Sequence, residues 1–180
     1  MSEIRVAARY AKSLLELAKE QGVVEQVNQD MLFFSKVCDE NRALQLTLKS
    51  PVVRHQQKMA ILKQIFEQRV SPVSYTIFTI ITRKNREAVL YAIAKEFHHQ
   101  YNQYKNIQPA QVTTTFPLDE PLRAKFRQLV TESTGGKQVE LQEKVDPALI
   151  GGFVLKVGDR QIDESLRSRL QSLKLKFLQN

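Results

Sequence analysis

The sequence predicts an α+β protein, mainly α: a bundle of six helices over residues 1–105, then a small β-α-β-β-α module over 106–180. Three observations carry this. Apolar residues recur at helical intervals through almost all of the first hundred positions. With six Gly and six Pro in 180 residues, helices run long between breaks. Near Asn106 the pattern changes to short β-branched and alternating runs.

The first helix is read from Ile4, Ala7, Ala8, Ala11, Leu14, Leu15 and Ala18, which fall on one face, and Gly22 stops it. A second carries Val24, Val27, Met31, Phe34 and Cys38. Asn41 opens a short third with Leu44, Leu46 and Leu48, which Ser50-Pro51 breaks. The fourth spans His55 to Gln68 with Met59, Leu62, Ile65 and Phe66 inward. Ser71-Pro72 starts the fifth, Ser as cap and Pro in the first turn, and it runs to about Thr82. After the polar turn Arg83-Lys84-Asn85-Arg86 comes a long sixth helix with Val89, Leu90, Ile93, Phe97 and Tyr101.

In the second module, Gln111–Phe116 reads as a strand and Pro117-Leu118-Asp119 as a turn. A helix through Leu122, Phe126, Leu129 and Val130 is stopped by Gly135-Gly136. Val139–Val145 alternates as a half-buried strand does, and Asp146-Pro147 ends it. Phe153–Val157 is a third strand, followed by a Gly158-Asp159 turn. Asp163 then caps a last helix whose Leu166, Leu170, Leu173 and Phe177 share a face.

Composition narrows the function classes. The formal charge is +8, net +6 in residues 1–105 and net +2 in 106–180. It favours acidic partners, nucleic acid or an anionic surface, but the basic residues are scattered as on solvated helix faces. The lone Cys38 forms no internal disulfide. No apolar run approaches the ~18 residues of a membrane span, and the amino end lacks the apolar core of a signal peptide. The chain is therefore expected to be soluble or peripheral.

Catalytic patterns are missing. Glu96 and His99 make one Glu-x-x-His pair, but a bundle metal site needs a second copy and facing carboxylates, and the inner faces are apolar. Cys38 lies on an apolar face with nothing to activate it. There is no nucleophile elbow, no P-loop and no dinucleotide fingerprint. Gly135-Gly136 follows a helix and Gly151-Gly152 precedes a strand, so both pairs read as architecture.

What remains is interaction surface. Ala7, Ala8, Ala11 and Ala18 let another helix approach the first helix closely. The fifth helix is richer in apolar residues than one inner face requires. Its surplus either lines a groove for an amphipathic partner helix or marks a central position in the bundle.

Certain motifs resemble a known family. They are Ala8-Arg9-Tyr10-Ala11-Lys12, Ser50-Pro51 followed by Lys58, and Asn85-Arg86. At the carboxyl end they are Val145-Asp146-Pro147-x-Leu149-Ile150-Gly151-Gly152, Gly158-Asp159-x-x-Ile162-Asp163-x-Ser165 and Arg167-x-Arg169-Leu170. Over essentially the whole length the chain resembles the delta subunits of bacterial F-type ATP synthases, similar to the mitochondrial oligomycin-sensitivity-conferring protein.

The resemblance implies a non-catalytic stator subunit that ties the catalytic F1 head to the membrane F0 sector against rotor torque, with no cofactor and no metal. It implies that the bundle binds the N-terminal helix of an alpha subunit. The groove is expected at Ala7, Tyr10, Ala11, Leu14, Ala18, Ile77, Ile80 and Ile81. It implies that the second module holds the b subunits of the peripheral stalk, through Gly151, Gly152, Gly158, Asp159, Asp163, Arg167 and Arg169. Other F1 subunits are expected nearby, with no nucleic acid and no direct membrane span. The expected place is the cytoplasmic face of the bacterial inner membrane. The charge keeps a basic helical nucleic-acid-binding protein as the alternative.

Overall fold

The computed structural model describes residues 3–135 and 138–178. It divides into two compact units, Met1–Tyr101 and Asn102–Asn180. The first holds α1 (Glu3–Glu20), α2 (Val24–Glu40), α3 (Arg42–Lys49), α4 (His55–Phe66), α5 (Pro72–Arg83) and most of α6 (Leu90–Lys105), with a 3-10 turn at Glu87–Val89.

Its helix ends follow local chemistry. Gly22, at φ +69°, closes α1 as the Val23 amide donates to Ala18 O at 2.9 Å and the Gly22 amide to Lys19 O at 3.1 Å. Asn85, at φ +54°, closes α5 with the same pattern, Arg86 N donating to Ile81 O at 3.1 Å. Asn41 Oδ1 accepts from Leu44 N at 3.2 Å and so caps α3. Ser71 Oγ accepts from Ser74 N at 3.3 Å and caps α5, as expected, with Pro72 in the first turn. Ser71's own amide donates to the buried Asp30 carboxylate at 2.8 Å. That bond pins the start of α5 to α2.

The bundle core centres on four phenylalanine rings. Phe34 lies 5.0 Å from Phe66 and 4.8 Å from Phe78 between centroids, and Phe33 packs edge-on to Phe66 at 5.9 Å. Leu14, Met31, Leu62, Ile81, Leu90, Ile93 and Phe97 complete it, all essentially fully buried. An ion pair is buried with them. Lys58 Nζ lies 2.5 Å from Glu87 Oε1 and donates to Leu48 O at 3.0 Å. Lys58, Leu62 and Phe66 share the inner face of α4, so the lysine occupies a core position.

The second unit holds β1 (Ile107–Thr114), α7 (Glu120–Ser133), β2 (Gln138–Val145), a 3-10 turn at Pro147–Leu149, β3 (Phe153–Val157), β4 (Arg160–Asp163) and α8 (Leu166–Leu178). The sheet order is β2-β1-β3-β4. β1 and β2 are parallel, joined through α7, and the β1–β3 and β3–β4 pairs are antiparallel. Asp119 Oδ1 caps α7 by accepting from Leu122 N at 3.0 Å. Ala110, Val112, Leu118, Val130 and Leu155 form a small core, flanked by Phe126 and Phe153 edge-on at 5.0 Å.

Several expectations are corrected. The module is β-α-β-β-β-α, with β4 unforeseen. Its four residues are polar or exposed and lie on the sheet edge, so alternation gives no signal. β1 starts at Ile107, four residues early. Pro109 argues against a strand, but it pairs with β2 alone, before β3 joins at Ala110, where a missing N–H is tolerated. α4 ends at Phe66, two residues short. Ile4, placed on one face with Ala7 and Ala11, is exposed, as are Leu46 and Leu129. Gly135 sits at φ +72° after α7, whereas Gly136 lies outside the described residues.

Candidate partner-binding surfaces

On α1, Ala7, Ala11, Leu14 and Ala18 are all at most 1% exposed and belong to the bundle core. Ile81 of α5 is likewise fully buried. These five expected groove residues present nothing to a partner. The small alanines do allow close approach, but the neighbour they admit lies within the bundle. The remaining three are at the surface: Tyr10 and Ile77 half-buried, Ile80 40% exposed. Val73, Ile77 and Ile80 recur at i, i+4 and i+7, so they make a partly exposed apolar stripe on α5, of which Val73 and Ile77 also pack against the core. Val6 and Tyr10 lie one turn apart on α1, and both are half-buried. Arg86 donates from Nη1 to Tyr10 Oη at 3.3 Å. That bond joins two motif residues, from positions 76 apart, at the rim of the bundle.

In the second unit the glycines build a joint. Ile150, Gly152 and Gly158 all have positive φ. A Cβ on Gly151 would lie 2.7 Å from the Leu166 side chain, and one on Gly152 2.2 Å from Glu164 O. Across this contact Leu166 N donates to Gly151 O and Glu164 N to Phe153 O, each at 2.9 Å. The amino end of α8 is thus seated directly on the entry to β3. Gly158 and Asp159 form the exposed turn between β3 and β4.

Asp163 is the last residue of β4, and the side chain capping α8 is Ser165, whose Oγ accepts from Ser168 N at 3.2 Å. Asp163 reinforces this cap. Its carboxylate accepts from Ser165 N at 2.9 Å and from Ser168 Oγ at 2.7 Å. Hydrogen bonding to Ser165 and then Ser168 lowers its pKa below the ordinary aspartate value. With a depressed folded-state pKa, the contribution is present above that ordinary value and lost as pH falls through the folded one. Arg169 pairs with Glu164 at 2.5 Å on the surface, where such pairs are worth little, and Arg167 is exposed.

An exposed apolar face that the sequence did not assign lies on α8. Leu166, Leu170, Leu173 and Phe177 fall at i, i+4, i+7 and i+11, and all are exposed, Phe177 to 80%. Shared periodicity was visible in the sequence. Exposure was not, because a short amphipathic helix reads the same whether its apolar face meets its own core or a partner.

Among the described residues no group of three or more His, Cys, Asp or Glu side chains is placed to hold a metal. His98 Nδ1 lies 3.1 Å from Asn28 Oδ1, and Glu96 Oε1 accepts from Gln100 at 2.9 Å. Cys38 is buried, and desolvation followed by the nearby Asp39 charge pushes its thiol up to about 11 from 9.0. At neutral pH the native thiolate population is then about a hundredfold lower than for an ordinary thiol. Iodoacetamide is expected to label Cys38 only after denaturant unfolds the bundle. Rapid labelling of the native chain would refute the burial. Stability linked to the neutral thiol is intact below about pH 9 and falls as pH rises toward 11.

Two small units, one with a partly exposed apolar stripe and one with an exposed amphipathic helix on a glycine joint, present surface of the kind that adaptor proteins offer to other polypeptides. Comparison with known proteins gives the family. The model of the ATP synthase delta (OSCP) subunit matches residues 6–177. ATP synthase subunit delta of Cytophaga hutchinsonii is 42% identical over 177 residues, covering 98% of this chain and 96% of its own. The Lactobacillus johnsonii subunit is 32% identical over 180 residues, covering 100% and 98%. A chain of the Toxoplasma gondii mitochondrial ATP synthase hexamer shares the fold, with TM-score 0.72 at 23% identity over 96% of this chain and 97% of that one. This chain belongs to the ATP synthase delta (OSCP) subunit family. It is a non-catalytic peripheral-stalk subunit of an F-type ATP synthase.

Proposed function

We propose that the two units divide the stator's task, the bundle gripping the F1 head and the second module gripping the b subunits of the stalk. The observation that carries this is the α8 stripe, four large apolar side chains left open on a helix whose seat on the sheet is otherwise tightly built. A b-subunit helix laid along it buries these side chains at roughly 25 cal/mol per Å2 of apolar surface, less the cost of association and ordering. On the bundle, the alpha-subunit helix docks against the outward residues Tyr10, Ile77 and Ile80, joined by Val73. Ala7, Ala11, Leu14, Ala18 and Ile81 support that surface from beneath.

A head dragged by the rotor loses coupling if either grip slips, so both must hold without covalent bonds. No helix among the described residues is long and apolar enough to cross a membrane. The subunit is then a peripheral component at the cytoplasmic face of the membrane, held there through the b subunits.

The paired substitution Leu170→Asp and Leu173→Asp tests the stalk half. Both side chains are exposed, so the free chain is expected to keep its stability within about 0.5 kcal/mol. Co-purification with b subunits is expected to be lost, while binding to the head persists. Unchanged recovery of b subunits would sink the assignment, as would unfolding of the free chain.

A further inference from the structure

The backbone of the second unit carries a strained residue. Ile150 sits at φ +66° and ψ −33°, outside both the left-handed and the right-handed helical basins. Two other non-glycine residues among the described ones have positive φ, and both are Asn, whose short polar side chain tolerates it. A β-branched residue does not, because its two γ carbons crowd the backbone there.

Packing inside the module does not explain the choice. Ile150 is 64% exposed, so a glycine, as at Gly152 and Gly158, would serve the same turn with little loss of burial. The geometry is imposed from both sides. Before it, Asp146 N donates to Thr114 O at 2.8 Å, Asp146 Oδ1 accepts from Ala148 N at 3.0 Å, and Ile150 N donates to Pro147 O at 3.1 Å. After it, Gly151 O accepts from Leu166 N at 2.9 Å. Strain of this kind persists only where the surrounding structure fixes it, and it gathers at binding sites.

The same contacts set Ile150 at the end of the α8 stripe. The 3-10 turn Pro147–Leu149 packs against α8, and the side chain of Leu166, the first residue of the stripe, lies over Gly151. Ile150 thus adds a fifth large exposed apolar side chain to Leu166, Leu170, Leu173 and Phe177, carried by a different element. A helix laid along α8 alone meets a single row of side chains. A residue on a fixed turn gives that row a defined end, and a side chain already held in place has less freedom to lose on binding.

We propose that Ile150 is a strained anchor of the stalk grip: the fold holds this side chain out, at a cost in stability, to seat against the apolar face of the b-subunit helix docked on α8. This role rests on the stalk half of the stator reading and adds to it a contact residue that lies off the helix.

The test measures two quantities on full-length variants, the thermal midpoint of the second module and the affinity for detergent-solubilised b subunits. Ile150→Gly is expected to raise the midpoint by about 4 °C or more, the scale of one relieved backbone strain in a unit of this size. It is expected to weaken b-subunit binding about tenfold, the scale of one aliphatic side chain no longer buried. A residue with only a structural role does not give stabilisation together with loss of binding. Ile150→Ala keeps a Cβ on the strained backbone but removes the apolar surface. It is expected to bind almost as weakly as Ile150→Gly with little gain in midpoint, while Ile150→Val retains most of the binding. An unchanged or lowered midpoint for Ile150→Gly overturns the proposal, as does unchanged affinity. Normal binding by Ile150→Ala overturns it too, because the loss in Ile150→Gly then comes from a loosened backbone. The Leu170→Asp, Leu173→Asp pair separates this failure from that of the stalk grip. Binding lost in the pair but intact in Ile150→Gly removes the anchor alone. Binding intact in both removes the grip as well.

Discussion

Gly152→Ala is expected to destabilise the second module by about 4 kcal/mol or more, enough to unfold so small a unit. Two costs add. At φ +78° an L-residue carries a backbone penalty on the order of 1–2 kcal/mol. The new methyl also lands 2.2 Å from Glu164 O, and that carbonyl cannot move alone. Glu164 N is bonded to Phe153 O, and the next residue, Ser165, caps α8. Relief therefore means separating α8 from the entry to β3. Thermal unfolding of the variant should lose the module's transition while that of the bundle stays in place, and b-subunit binding should go with it. Gly22→Ala is the control. Its φ is also positive, at +69°, but a Cβ there meets nothing within 4 Å, so only the backbone penalty applies. Equal losses at the two positions would show that contact at Gly152 is not what matters.

That joint was legible in the sequence to an uneven degree. Gly151-Gly152 was identified as architecture because a strand follows it, and Gly158-Asp159 as a turn because such residues suit one. The clash partner could not be read, because Glu164 O is brought to Gly152 by β4, and β4 left no trace in the apolar pattern. The capping residue was displaced for the same reason. Asp163 looks like a helix cap when the chain is read from turn to helix, yet it ends a strand and supports Ser165 from there.

In the bundle, periodicity identified six helices and most inward residues, but its resolution stops at the face. A periodic stripe names residues that point the same way. It does not say whether they meet the protein's own core or a partner. On α1 the stripe went inward, and on α8 it went outward. Lys58 shows the converse limit. Its charge suggests the surface, while its spacing from Leu62 and Phe66 places it in the core, and Glu87, 29 positions away, together with Leu48 O makes that tolerable.

Ala11→Trp separates core from groove most sharply, and the bundle is expected not to fold with it. Ala11 has no exposed surface and lies in the same buried cluster as Ala7, Leu14, Leu15 and Ala18. Adding even a few methylenes to a packed core costs about 1–3 kcal/mol, and an indole is several times larger. The loss should exceed about 3 kcal/mol, against a total stability on the order of 5–15 kcal/mol for a domain. Head binding then disappears because its platform does. The informative contrast is Ile80→Asp, next to the buried Ile81 in sequence but about 100° round the helix, on the side that stays exposed. That variant should fold with near-normal stability and bind an alpha-subunit N-terminal peptide more weakly, by roughly 1–3 kcal/mol. Urea unfolding and peptide titration on both variants give four numbers. Parallel loss of folding and binding at Ala11, with loss of binding alone at Ile80, assigns the first to the core and the second to the grip. A folded Ala11→Trp chain with weakened binding would instead restore Ala11 to the groove.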